Sequence, residues 1–160
     1  MLYPCKFTEM IPLNLPQYEI KVRHDGSHTY IFDTLRRRFV SLTPEEWVRQ
    51  HFVHFLISHK GYPPTLLANE VTLRVGTSTR RPDSVLYHKE GGRPRVIIEY
   101  KAPSVAITSK VFSQIASYNA LLHADYLIVS NGLEHYCCHI DYKTMQSEFL
   151  QDIPAYGELE

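Results

Sequence analysis

The stretch RPDSVLYHKEGGRPRVIIEYKAP, residues 81–103, leaves few folds open to this chain. Two apolar runs rich in Val, Ile, Leu and Tyr flank a connection that contains Gly91-Gly92, the pattern of two strands folded into a hairpin. Folding about that pair sets Asp83 opposite the Glu99-Tyr100-Lys101 segment. Side chains alternate along a strand, so Glu99 and Lys101 share one face and Tyr100 takes the other. Paired strands lie ~4.8 Å apart. Asp83 and Glu99 can therefore converge on one divalent cation, with the Lys101 amine beside it, within reach of a phosphate or an attacking water. Two carboxylates and an amine on apolar strands are costly to desolvate, and a bound cation offsets that cost. Such a constellation suits phosphodiester hydrolysis. The competing reading is a cross-strand ion pair between Asp83 and Lys101, worth only roughly a few tenths of a kcal/mol.

Upstream, residues 1–17 carry Pro4, Pro12 and Pro16 and read as an extended arm. Residues 18–23 and 29–32 read as an accessory hairpin turning at His24-Asp25-Gly26. The domain proper then runs over residues 41–160, with the arm and hairpin confined to 1–40. Thr43-Pro44-Glu45-Glu46 announces a helix: Thr43 as N-cap, Pro44 as the first helical residue, Glu46 completing a capping box. Val48, Phe52, Phe55 and Leu56 give it an apolar face, and Glu46, Arg49 and Gln50 form another stripe. Glu46 has two readings, a cap or an acid that reaches the metal site.

Residues 66–75 alternate Val71, Leu73 and Val75 against Glu70, Thr72 and Arg74, which predicts one half-buried strand; Glu70 on its polar face is either a further acid near the site or, the favoured reading, the partner of Arg74 at the sheet surface. After Lys101, Ala102-Pro103-Ser104 breaks the strand, and residues 109–124 read as a helix that buries Val111, Phe112, Ile115 and Leu122. Gln114 and Tyr118 share a face of it at i and i+4. That pair is either a water-satisfied helix surface or a donor pair for a phosphate or a nucleophilic water. Residues 125–130 form an apolar strand closed by Asn131-Gly132, and residues 133–140 return antiparallel. The strand–helix–strand passage from Val96 to Ser130 makes its two strands parallel. The expected fold is α/β with a mixed sheet between helices.

A chain of 160 residues suits one core, and 44% hydrophobic with 21% charged residues is ordinary for a globular protein. Lys plus Arg number 17, as do Asp plus Glu, so no global basic field draws in nucleic acid and a local patch must do so. Arg74, Arg80 and Arg81 lead toward the hairpin, whereas the run Arg36–Arg38 reads as a solvated face. The N-terminus has no secretory pattern and no apolar run approaches membrane length, so a cytoplasmic protein is expected. Cys5, Cys137 and Cys138 make no disulfide framework. His135, Cys137, Cys138 and His139 lack the spacing of a zinc knuckle, and strand cysteines behave as small buried hydrophobes. No P-loop occurs.

Pro82-Asp83 followed by Glu99-Tyr100-Lys101 fits the PD-(D/E)xK pattern of restriction-endonuclease-like nucleases. Taken with LTPEEWVRQHF (42–52), RPDSVLY (81–87), VIIEYKAP (96–103), Gln114-x-x-x-Tyr118-Asn119 and YLIVSNG (126–132), the chain resembles the N-terminal nuclease domain of type I restriction enzyme R subunits. The resemblance implies a restriction-endonuclease-like core. It implies Asp83 and Glu99 as Mg²⁺ ligands (Mn²⁺ being able to replace it), with the Tyr100 backbone carbonyl as a third. It further implies Lys101 as the residue that orients the attacking water, Gln114 as an aid to the site, and Glu46 as the family's first-helix acid. DNA is the implied substrate, with Gln114, Tyr118, Arg81 and Arg49 as candidate contacts. Other restriction or repair subunits are the implied partners, and cutting of both strands would call for a dimer. The family's nuclease domain is joined to a translocating ATPase, and these 160 residues contain no such motor. A DNA-binding or assembly module that keeps the nuclease fold without cutting is the alternative.

Overall fold

The computed structural model describes residues 10–160. Cys5 and the first half of the proline-rich arm lie outside the described residues. The chain opens with three antiparallel strands, β1 (Val22–Asp25), β2 (His28–Asp33) and β3 (Arg38–Ser41). The hairpin predicted here is present, with Gly26 at φ 59° in its turn. Its third strand was not legible, because Arg38-Phe39-Val40-Ser41 is too short to show a period.

This piece is bound into the rest of the molecule. Ile31 is fully buried, and the Asn69 amide donates to the buried carboxylate of Asp33 at 2.9 Å. Arg36 corrects the expectation of a solvated arginine run: its side chain turns inward onto Asp33 and Glu46. Two backbone N–H groups, of Leu35 and Arg36, also donate to Asp33. Together they hold the tight connection from β2 to β3.

Helix α1 (Pro44–Lys60) starts as the sequence dictates, with the Glu46 N–H donating to the Thr43 hydroxyl at 3.1 Å. It ends on Gly61 at φ 72°, a left-handed stop that glycine adopts without a Cβ penalty. A 3₁₀ turn at Pro64–Leu66 leads to β4 (Leu67–Asn69). Here the single predicted strand over 66–75 breaks. Glu70 takes φ 56°, and the chain resumes as a separate two-stranded ribbon, β5 (Leu73–Val75) and β6 (Ser78–Arg80). Arg74 consequently faces Thr79 across the ribbon.

Then come β7 (Ser84–Tyr87), β8 (Pro94–Tyr100), α2 (Ser109–Leu122), β9 (Tyr126–Ser130), β10 (His135–Asp141) and β11 (Gln146–Leu150). They form one mixed sheet in the order β11-β10-β9-β8-β7-β4. Only the β8–β9 pair in it is parallel, as the strand–helix–strand order requires.

The pleat of β8 divides the core. Val96, Ile98 and Tyr100 pack with Val48, Phe52 and Leu56 of α1 on one face. Ile97 packs with Ile115 and Leu122 of α2 on the other. Buried on both faces, β8 and β9 read as continuous apolar runs rather than alternating ones. Full burial of each isoleucine contributes about 1.5–3 kcal/mol. Cys137 and Cys138 fall one on each face, Cys137 with the α1 cluster and Cys138 with the α2 cluster. The Asn131-Gly132 turn closes β9, and a Cβ on Gly132 would meet Leu13 at 2.6 Å. No helix among the described residues is long and apolar enough to cross a membrane.

Candidate active site

Register builds the site. Ser84 pairs with Ile98, so the next step along the hairpin sets Asp83 opposite Glu99 and Pro82 opposite Tyr100. Even-numbered residues of β8 direct their backbone groups toward β7. Accordingly the Tyr100 N–H donates to Asp83 Oδ2 at 2.8 Å, beyond the end of the ladder. In a strand the N–H and C=O of one residue point to the same side, so the Tyr100 carbonyl faces that same margin. Its register partner there is Pro82, which has no N–H to donate. The Tyr100 side chain points the opposite way from Glu99. It is 2% exposed, its hydroxyl donates to the Ser84 hydroxyl at 3.0 Å, and its ring meets Phe52 edge-on.

Glu99 and Lys101, by alternation, share the face of Ile97, the face that α2 covers. The Glu99 carboxyl is pushed up to about 9, first by burial, then by the charge of Asp83 and the hydrogen bond between the two carboxyls, with Lys101 offsetting part of the rise. So close to Asp83, the Glu99 carboxyl favours its protonated form. A divalent ion meets the same need, and hard oxygen donors of this kind suit Mg²⁺ or Mn²⁺. The donor set fits: two carboxylates and a backbone carbonyl released from the ladder by proline. No cluster of three or more His, Cys, Asp or Glu side chains arranged for a metal occurs among the described residues. A third ligand from this chain is therefore sought in the backbone.

Glu99 holds its proton in the folded chain up to about 9, against 4.5 for an ordinary glutamate. Its stabilising contribution is fully present below 4.5 and is lost as pH rises toward 9. In metal-free buffer, wild-type stability measured by urea unfolding should fall across that window relative to Glu99→Gln. Parallel pH profiles of the two proteins would show that the carboxyls do not interact.

Behind Asp83 lies a buried chain of alternating charge. Arg49, 4% exposed on α1, donates to Glu46 Oε2 at 3.0 Å, to Glu70 Oε1 at 2.6 Å and to Asp83 Oδ1 at 3.3 Å. Burial disfavours its charged form, but Glu46 and Asp83 outweigh that and hold the guanidinium above its ordinary value. Glu46 accepts further bonds from Arg36 at 2.6 Å and Gln50 at 2.7 Å. Ser84, Asn69 and Asp33 extend the network by hydrogen bonds of 2.6 and 2.9 Å.

Two expectations change here. Arg49 was a candidate DNA contact, but it is buried and both of its terminal nitrogens are held by carboxylates, so it is not available to a phosphate. Glu46 neither closes a capping box with its carboxylate nor reaches the Asp83–Glu99 pair. Both of its oxygens are taken by Arg36, Gln50 and Arg49, and the route from it to Asp83 runs through Arg49. Of its two readings Glu70 takes the one beside the site: it pairs with Arg49 and, at 3.0 Å, with Arg81, not with Arg74. Its N–H donates to the Asp83 carbonyl at 3.0 Å, which fixes it beside the site.

Arg81 is 62% exposed at the rim. Arg80 lies over the Tyr118 ring at 5.8 Å and so ties the β5–β6 ribbon to α2. Gln114 is exposed on α2, above the sheet face that carries Glu99 and Lys101. Asn119 is structural. Its side-chain carbonyl accepts from the Ala124 N–H at 2.7 Å where α2 ends on His123.

A model of the family described as Type I restriction enzyme R protein N terminus (HSDR_N) matches residues 44–154. The chain belongs to that family. The fold is shared with a fragment described as an HsdR subunit of a type I restriction enzyme from Vibrio vulnificus YJ016, which superposes with a TM-score of 0.52 at 19% identity. The likeness covers 74% of this chain and 24% of that one, so the chain spans about a quarter of the HsdR fragment's length. None of the curated proteins matches the chain. The family match takes in α1, the hairpin and the parallel strand pair, and thereby every residue of the candidate site.

Proposed function

We propose that this R-protein N-terminal domain hydrolyses DNA phosphodiester bonds with a divalent cation held by Asp83, Glu99 and the Tyr100 carbonyl. The observation that carries the reading is the half-buried pairing of Asp83 with Glu99 beside a carbonyl that Pro82 leaves without a ladder donor. Mg²⁺ or Mn²⁺ bound there supplies Lewis acidity, which stabilises charge on the phosphate and acidifies a bound water. Asp83 is kept in place by the Tyr100 N–H. Lys101, next along the strand and on the face of Glu99, adds positive charge where the transition state gains negative charge and orients the attacking water. Arg81 at the rim holds the DNA backbone, and Gln114 and Tyr118 on α2 flank the same face.

The setting is restriction of DNA by a multisubunit enzyme in the cytoplasm, with the motor and specificity functions supplied by other segments or subunits. Cleavage of both strands requires two such sites, hence a dimer or two passes. The test is incubation of the purified protein with linear, circular and single-stranded DNA, with Mg²⁺ or Mn²⁺ and with chelator. Cleavage that appears only with the divalent ion is the expected result. Salt-sensitive DNA binding with no divalent requirement and no cutting would instead identify a non-catalytic binding module.

A further inference from the structure

Arg49 holds Glu70 tightly, at 2.6 Å, and Asp83 loosely, at 3.3 Å, with one and the same terminal nitrogen, Nη2. The oxygen it touches on Asp83 is Oδ1, the one the Tyr100 N–H does not use. Its other terminal nitrogen stays on Glu46. If Asp83 Oδ1 were drawn away, Arg49 would keep two carboxylate partners, so no buried charge would be stranded. Glu70 sits in the left-handed region at φ 56°, a conformation that a non-glycine residue adopts when its surroundings impose it. Its carboxylate also takes Arg81, whose exposed guanidinium lies at the rim.

We propose that Arg49 is a resident counter-ion that competes with the divalent cation for Asp83, and that Glu70 is the positioning residue that draws Arg49 off. The inference rests on the metal reading above. It assigns Arg49 and Glu70 a role in setting cation affinity that lies outside the Asp-Glu-Lys triad. When the cation binds, Arg49 gives up Asp83 and remains with Glu46 and Glu70. The strength of the Arg49–Glu70 pair then sets how readily the site fills. The coupling is reciprocal: a filled site strengthens the Arg49–Glu70 pair as much as that pair favours filling.

The experiment is calorimetric titration of Mn²⁺ into the full chain as wild type, Arg49→Gln, Glu70→Gln and the double variant. Glu70→Gln should weaken Mn²⁺ binding by roughly tenfold, because Arg49 Nη2 then falls wholly to Asp83. Arg49→Gln should tighten it, and the double variant should match Arg49→Gln, since Glu70 acts through Arg49. If Arg49→Gln does not fold, Glu46→Gln/Arg49→Met, which removes both charges of the buried pair, takes its place in the comparison. Affinity unchanged or weakened by loss of Arg49 overturns the proposal. So does an equal loss on Glu70→Gln with and without Arg49, which would make Glu70 act on the cation directly. A wild-type chain that binds no Mn²⁺ overturns the metal reading itself, and this inference with it.

Discussion

Lys101→Ala is expected to lower divalent-dependent DNA cleavage by about 10²–10³-fold, the usual cost of removing one preorganised electrostatic contact from a reacting centre. Lys101 stands just past the end of β8, and its backbone N–H donates to the Ser130 carbonyl at 2.9 Å, a bond that alanine keeps. The variant should therefore fold like the wild type. Its thermal midpoint serves as the control, and its cleavage rate at saturating Mg²⁺ as the readout. Asp83→Ala is expected to lose at least as much activity, because it removes a ligand and the acceptor for the Tyr100 N–H together. Undiminished cutting by both variants would show that the reaction takes place elsewhere on the chain.

Stability responds most to Glu46. Glu46→Ala is expected to destabilise the fold by about 3 kcal/mol, the lower end of the range for breaking a buried ion pair. The figure stays at that end because Arg36 retains Asp33 and Arg49 retains Glu70 and Asp83. In a domain of this size the loss corresponds to a fall of ~6–12 °C in thermal midpoint. A shift within a degree of wild type would mean that Glu46 is only a helix-start residue, as its position near Thr43 first suggests. Glu46→Gln should recover part of the loss, since an amide oxygen can still accept from Arg36.

How far these roles can be read from residues alone depends on how local their causes are. The helix start at Thr43-Pro44, the hairpin about Gly91-Gly92 and the facing of Asp83 and Glu99 follow from cap chemistry, turn chemistry and the two-residue period of a strand. Each is decided within a few residues. Likewise the burial of Cys137 and Cys138 needs only the pleat. The charge chain is different. Asp33 meets Asn69 and Arg49 meets Glu70 and Asp83 across separations of 36, 21 and 34 residues. No periodicity links such positions.

Glu70 shows a second limit. The alternation from Val71 to Val75 suits one strand, but tertiary bonds outweighed it: the Asn69 side chain is committed to Asp33 and Ser84, and the Glu70 N–H to the Asp83 carbonyl. Those commitments force the left-handed step that breaks the strand and turn Glu70 from the surface toward Arg49. Arg36 was misread for a related reason. A run of three arginines carries no mark of which one turns in, and the Asp33 that draws Arg36 inward is the last residue of β2, three positions before it. Arg49 did carry a local signal, three residues after Glu46 on the same helix stripe. Read as a buried pair rather than a free cation, it would have pointed to the network.

Cation binding between Asp83 and Glu99 is the decisive property of this site. Anomalous diffraction from a crystal soaked in Mn²⁺ should place a peak between the carboxylates of Asp83 and Glu99, beside the Tyr100 carbonyl, with Arg49 moved off Asp83. A soaked crystal in which those two carboxyls remain in mutual contact, with manganese bound at other positions, would contradict it.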